Sequence, residues 1–280
     1  MNIKLAINEG KQKLDEFNIR TSLLDSEILM SKVLKKDRAY IVMNYDKKLT
    51  YDNFNYFKNL IKERSKGKPV AYLVEKKDFW NAEFKIKRDV LIPRPDTELI
   101  IQETLKLTKN RNKLKVLDIG VGSGCILLSL LLDRNDFIGV GIDISKKCLD
   151  LAKYNTLKLK LKNRIKFFKS DIDNFNYGKY DLIISNPPYI NHIDFRNLDK
   201  DISNYEPKLA LYGGLDGLSV FRKVITKSSK LIKKNGKLIL EIGFDQKDKI
   251  KNILKENKFY INKVFKDFAN NNRCIISTKI

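Results

Sequence analysis

Five consecutive residues, Ser185-Asn186-Pro187-Pro188-Tyr189, have types and spacing that could do chemistry. A proline fixes φ, lacks an N–H and restrains the residue before it, so two in succession make a stiff, extended backbone whose carbonyls stay free. Asn186 becomes a fixed amide with one acceptor and two donors, and Tyr189 sets an aromatic face beside it. Such a corner can grip a planar NH2 group. The Asn186 side-chain oxygen and the Pro187 carbonyl each accept one of its hydrogens, and the nitrogen lone pair is left facing elsewhere. Asn-Pro is also an ordinary turn dipeptide, so the surrounding elements must decide between a binding corner and a plain turn.

Those elements favour binding. Asp181-Leu182-Ile183-Ile184 is short, β-branched and closed by the prolines, which reads as a buried strand. The corner therefore begins at the carboxyl end of a strand, where open α/β sheets bind their ligands. A second loop of this kind lies upstream. The strand Lys115-Val116-Leu117-Asp118-Ile119 runs into Gly120-Val121-Gly122-Ser123-Gly124 and then an apolar helix from Cys125. Glycines permit a tight turn and close ligand approach, and the helix start offers free N–H groups. A dinucleotide fingerprint would need glycine at position 125, where Cys125 stands. The G-x-G-x-G form points instead to S-adenosyl-L-methionine. Asp143, 19 residues beyond Gly124 at the end of the next strand, is placed to accept hydrogen bonds from both ribose hydroxyls. After the third strand Asp171 can receive the adenine amino group and Ile172 can pack on its face. Glycine loop, acid and Asn-Pro-Pro-Tyr together read as a methyltransferase.

From residue 114 onward, strands at 115–119, 137–142, 165–168, 181–185, 237–242, 259–265 and 273–278 alternate with helices, among them 218–232. The fold class is α/β, a Rossmann-like, mainly parallel seven-stranded sheet covered on both faces. The preceding segment has helical periodicity: Ile3, Ile7, Leu14 and Phe17; Leu23, Leu24, Ile28 and Leu29 behind a capping pair Ser22 and Asp25; Phe54, Phe57 and Ile61. It reads as a small helical bundle closed by Gly67-Lys68-Pro69. Phe79-Trp80 and Phe84 to Lys87 then form a β-hairpin. The expected domains are 1–74 helical, 75–95 hairpin linker and 96–280 methyltransferase.

The chain carries 56 Lys+Arg against 34 Asp+Glu, a net charge of +22, which invites a nucleic-acid reading. The distribution weakens it, because residues 1–95 carry net +8 and residues 96–280 net +14, similar densities. The densest run, Lys158 to Lys169, reads as a solvated face. Cys125, Cys148 and Cys274, with the single His192, make neither a disulfide framework nor a metal site. No apolar stretch approaches the ~20 residues needed to cross a bilayer, and Met1 to Leu5 lacks a secretory pattern, so the expectation is a cytoplasmic protein without a membrane partner.

Across nearly its whole length the chain resembles the release factor glutamine methyltransferases, the HemK-type enzymes of bacteria. The likeness runs through Asp25-Ser26-Glu27-Ile28-Leu29, Asp37-Arg38-Ala39-Tyr40, Gly67-Lys68-Pro69-Val70-Ala71-Tyr72 and Phe79-Trp80. It continues through Ile92-Pro93-Arg94-Pro95-Asp96-Thr97-Glu98, the glycine loop, Asn186 to Tyr189, Tyr205-Glu206-Pro207 and Gly213-Gly214-Leu215-Asp216-Gly217. The resemblance implies methylation of the side-chain nitrogen of the glutamine in the Gly-Gly-Gln motif of peptide chain release factors 1 and 2. It implies that Gly120 to Gly124, Asp143, Ile172 and Asn186 touch the cofactor. It gives Asn186, Pro187, Pro188 and Tyr189 to the glutamine and the helical domain to the release factor. Ile172 departs from the aromatic that many relatives carry. A monomer needing no nucleic acid is expected. Two rivals share the chemistry, an N6-adenine methyltransferase and a ribosomal-protein glutamine methyltransferase; no target-reading nucleic-acid domain is recognisable.

Overall fold

The alternation from residue 115 onward closes into one sheet of seven strands. The computed structural model describes residues 1–280 and resolves two units, 1–76 with 200–205, and 77–199 with 206–280. No helix in it is long and apolar enough to cross a membrane.

A hairpin of β1 (Lys76–Phe79), all but its first residue in the second unit, and β2 (Ala82–Lys85) precedes the sheet. Its turn differs from the sequence expectation. Trp80 leaves the strand with φ +53° and forms a two-residue turn with Asn81, so β2 starts at Ala82 rather than Phe84. Trp80 is held there by Glu98, whose carboxylate accepts its backbone N–H at 2.8 Å, while its indole N–H donates to Asp133 at 2.6 Å.

The sheet comprises β3 (Lys115–Ile119), β4 (Ile138–Asp143), β5 (Ile165–Lys169), β6 (Tyr180–Ser185), β7 (Ile232–Glu241), β8 (Phe259–Lys266) and β9 (Asn272–Lys279). Their order is β5-β4-β3-β6-β7-β9-β8; β9 runs antiparallel to both β7 and β8, and the other pairings are parallel. The near-continuous apolar runs of the central strands follow from burial on both faces. Leu117, Ile119, Ile183, Leu238 and Leu240 share one core with Phe221, Val224 and Ile225 of the helix Ser219–Leu231. That helix passes without a loop into β7, five residues earlier than the sequence suggested. Ile232 pairs with Tyr180, and a register shift then absorbs the lysine-rich stretch before Lys237 meets Leu182. Between β3 and β6 the strand order reverses direction. The crevice outside their carboxyl ends is the place where such sheets bind ligands.

The first unit packs α1 (Ile3–Glu16), α2 (Ser22–Leu34), α3 (Arg38–Met43), α4 (Tyr51–Ser65) and α5 (Val70–Val74) around Ile7, Leu14, Leu29, Met30, Phe57 and Ile61. Asn2, Asp37 and Thr50 cap α1, α3 and α4 by accepting N–H groups of the first turns. The expected capping pair at α2 is not formed, since Thr21 precedes the helix without a side-chain cap. Asp25 is instead buried against Arg64 of α4 at 2.7 Å, and the same guanidinium reaches Asp201 at 2.9 Å. A buried pair loses most when one partner is removed, because the survivor keeps its desolvation cost. Arg64→Met should therefore lower unfolding free energy by about 3–5 kcal/mol. Urea denaturation followed through the helical signal measures it, and a change under about 1 kcal/mol would mean that water reaches Asp25.

Candidate active site

The carboxyl edge of the parallel strands collects the chemistry-bearing residues in sequence order of their strands. β3 ends at Ile119, β4 at Asp143, β5 just before Ser170-Asp171, β6 at Ser185 and β7 at Glu241. Ile119 and Ser185 are register partners, and the Ser185 hydroxyl donates to the Ile119 carbonyl at 2.7 Å. The glycine loop and Asn186 therefore leave adjacent strands side by side.

Gly120, Gly122 and Gly124 have φ of +78°, +55° and +86°, conformations that L side chains rarely adopt, and the space a Cβ would occupy at Gly120 is open. The loop is stapled from β4. Asp143 accepts the Gly122 N–H at 3.0 Å through one oxygen and the Ser145 N–H at 2.8 Å through the other. The sequence reading gave Asp143 to a ribose; within the chain its carboxylate also fixes the loop. Burial raises its pKa, and the two N–H groups oppose that rise. Asp171 caps the short helical turn 172–174 by accepting the Asp173 N–H at 2.9 Å, and Ile172 packs against the sheet core. Val121 is buried and Ser123 carries a buried hydroxyl with no partner.

Asp118, one residue before the end of β3, was missed by the sequence reading. It is fully buried, neither carboxylate oxygen has a hydrogen-bond partner, and burial with the charge of Asp143 pushes its pKa up to about 7. An acid inside the apolar run Val116 to Ile119 was the available signal.

Around the Asn-Pro-Pro-Tyr corner, Asn186 is half-buried and its NH2 donates to the hydroxyl of buried Thr97 at 3.3 Å. Neither the Asn186 side-chain oxygen nor the Pro187 carbonyl is engaged within the chain. Both face no internal demand and can serve a ligand. Tyr189 packs its ring against the sheet core and donates its hydroxyl to Glu241 at 3.3 Å. Arg273 lies 3.5 Å from that hydroxyl and 3.8 Å from Asp96. Glu241 is buried, which pushes its pKa up to about 7, and its second oxygen has no hydrogen-bond partner.

Behind the corner, the Gln246 amide donates to the carbonyls of Tyr189 at 2.9 Å and Gly217 at 3.3 Å. The segment at 92–98 is anchored by buried Glu206, which accepts from the Ile92 N–H and pairs with Arg94. Four stretches far apart in the sequence, 92–98, 186–189, 205–207 and 213–217, are thus joined. His192 begins a short helix, and its ring nitrogen is 3.4 Å from the Tyr212 hydroxyl.

With that geometry in place, comparison with known proteins is decisive. The PrmC N-terminal domain family matches residues 6–74 and the methyltransferase small domain family matches residues 96–202. The chain is 35% identical over its full length to a release factor glutamine methyltransferase of Clostridium acetobutylicum, covering 99% of that protein. The chain belongs to the release factor glutamine methyltransferase family. A second member, from Buchnera aphidicola, is 37% identical over 91% of this chain and 92% of its own. A methyltransferase structure from Pyrococcus furiosus superposes with a TM-score of 0.54, covering 79% of this chain and 97% of that one at 16% identity, a likeness of fold alone. The chain is accordingly a methyltransferase with the class I sheet described above.

Proposed function

We propose that the chain methylates the side-chain amide nitrogen of the glutamine in the Gly-Gly-Gln motif of peptide chain release factors 1 and 2, with S-adenosyl-L-methionine as donor. The carrying observation is the register pair Ile119 and Ser185, which sets the glycine loop beside Asn186. The residues present fit the donor. The glycine loop gives close approach to the backbone, Asp143 and Asp171 are acceptors for hydroxyl and amino groups, and the unpartnered carboxylate of Asp118 suits a ligand with positive charge. Gly120 to Gly124, Asp143, Asp171, Ile172 and Asn186 would hold it. When bound, it supplies an activated sulfonium methyl.

A carboxamide nitrogen is a weak nucleophile because its lone pair is delocalised into the carbonyl. The Asn186 oxygen and the Pro187 carbonyl take its two hydrogens, which aims the lone pair toward the glycine-loop side. As positive charge develops on nitrogen, both acceptors interact more strongly, so stabilisation grows toward the transition state. No base is needed beforehand, since the methylated nitrogen becomes acidic enough to lose its proton afterwards. Tyr189 and Pro188 wall the amide. The helical segment 1–74 recognises the release factor, residues 75–95 link it, and residues 96–280 carry the transfer in a cytoplasmic monomer. The test is mass spectrometry of the tryptic peptide of a release factor after incubation with donor: the Gly-Gly-Gln glutamine gains one methyl, and an unmodified peptide overturns the proposal.

Asp143→Ala removes a donor contact and also frees the Gly122 N–H from its staple. Loss of hydrogen bonds to a charged group weakens binding by roughly tenfold or more. Calorimetric titration with S-adenosylhomocysteine measures this, and unaltered affinity would remove Asp143 from the pocket.

A further inference from the structure

Three turns at the carboxyl edge of the sheet are fastened to Tyr189, and each presents a large apolar side chain to solvent. The turn 243–246 closes when the Gly243 N–H donates to the Gln246 side chain at 3.1 Å; the amide of that side chain donates in turn to the Tyr189 carbonyl. It carries Phe244, 62% exposed. Gln246 also reaches the Gly217 carbonyl, which ties in the loop 213–217 with Leu215, 79% exposed. The β8–β9 turn is closed by Asp267, whose N–H donates to the Asn271 carbonyl and whose carboxylate accepts the Asn271 N–H, both at 2.9 Å. Arg273 donates to the same carboxylate at 3.1 Å and lies 3.5 Å from the Tyr189 hydroxyl. Phe268 in this turn is fully exposed. The Asn272 amide donates to the Phe244 carbonyl at 3.3 Å and joins the two aromatic turns.

One exposed apolar side chain is ordinary surface, but turns favour small and polar residues, and here three of them carry Leu or Phe around one corner. Their internal bonds lower the ordering cost of any contact they make. The charge around them argues against nucleic acid. In a chain of net +22 none of the three has a Lys or Arg as chain neighbour; each adjoins an aspartate, Asp216, Asp245 or Asp267, and Asp216 and Asp267 are paired with Arg222 and Arg273. A phosphate backbone needs cations at such points, and an apolar protein surface does not. We propose that Phe244, Phe268 and Leu215 form an apolar rim that docks the protein substrate, seating apolar side chains of the release factor that flank its glutamine. The inference rests on the glutamine-methylation reading and deepens it, since it names a surface that selects a folded protein as substrate. The rim touches no reacting atom. It holds ground state and transition state equally, so it acts on KM and leaves kcat alone.

The test measures steady-state methylation of an intact release factor at saturating donor by wild type, Phe244→Ser/Phe268→Ser, Phe244→Leu/Phe268→Leu and Tyr260→Ser. Tyr260, 62% exposed near the other end of β8, controls for loss of any surface aromatic. Wild type must first methylate the Gly-Gly-Gln glutamine; if it does not, the parent reading falls and takes this proposal with it, whereas failure of the variants alone overturns only this proposal. The double serine variant raises KM about tenfold or more, with kcat and S-adenosylhomocysteine affinity within about twofold of wild type. The double leucine variant stays within about threefold of the wild-type KM, and Tyr260→Ser within about twofold. The proposal is overturned if the double serine variant keeps the wild-type KM, if its kcat or S-adenosylhomocysteine affinity falls in step with the rise in KM, if leucine fails to rescue, or if Tyr260→Ser raises KM as much. A double serine variant that keeps its KM and drops from dimer to monomer in light scattering gives the rim to a second copy of the chain, which also overturns it.

Discussion

On the proposed reading, an Asn186→Ala variant is expected to methylate a release factor roughly a hundredfold or more slowly than wild type, while S-adenosylhomocysteine should bind within about threefold of its normal affinity. The asymmetry follows from where the acceptors act. In the ground state the glutamine amide can bond to water as well as to Asn186, so little binding is lost. At the transition state its nitrogen carries growing positive charge in a site walled by Pro187, Pro188 and Tyr189, and a missing acceptor there is not replaced at the right angle. The cofactor meanwhile keeps the glycine loop and Asp143, which are stapled to each other without help from Asn186. Steady-state kinetics and calorimetry read the two quantities. Turnover within a few-fold of wild type would refute the amide grip, and equal losses in both would make Asn186 chiefly a cofactor ligand.

The second large effect is expected from a residue that touches no ligand. Gly217 has φ +73°, and a Cβ built on it lies 2.5 Å from the Tyr189 carbonyl oxygen and 2.7 Å from the Gln246 amide nitrogen. Gly217→Ala thus adds left-handed backbone strain of about 1–2 kcal/mol and pushes directly on the bond by which Gln246 holds Tyr189. The carbonyl is main chain and cannot swing aside, so the corner itself shifts. A displacement approaching ~1 Å at a positioning element costs about a hundredfold in rate. Donor affinity stays within about threefold, because the carboxyl ends of β3 and β4 are unaffected. Retained turnover in a variant that folds would show that the loop at 213–217 is not what sets the corner.

Local signals made much of this legible. The strands read correctly where an apolar run ends in glycine or proline, as at Ile119 and Ser185, and the chemistry of each loop follows from residues adjacent in the chain. Positions whose partners are distant did not. Asn186 and Thr97 are 89 residues apart, and Tyr189 and Glu241 are 52 apart, so no periodicity links them. The signal that existed was an acid inside an apolar strand: Asp118 within Val116 to Ile119, and Glu241 after Leu238-Ile239-Leu240. Such residues are costly to bury and therefore informative. The capping pair at Ser22 and Asp25 failed for the converse reason. A local rule placed Asp25 at a helix start, and Arg64, 39 residues away, gave it a better partner.

The assignment of residues 200–205 to the helical unit has a genetic corollary. Along the chain these six residues separate the Asn-Pro-Pro-Tyr corner from Glu206, yet they fold with α1 to α5, through Asp201 on Arg64 and the Tyr205 hydroxyl on the Lys66 carbonyl. Cutting the gene after codon 76 would leave this stretch without its bed, between the Asn-Pro-Pro-Tyr corner and Glu206. The two halves are therefore interleaved in sequence, and a single cut in the chain does not separate them.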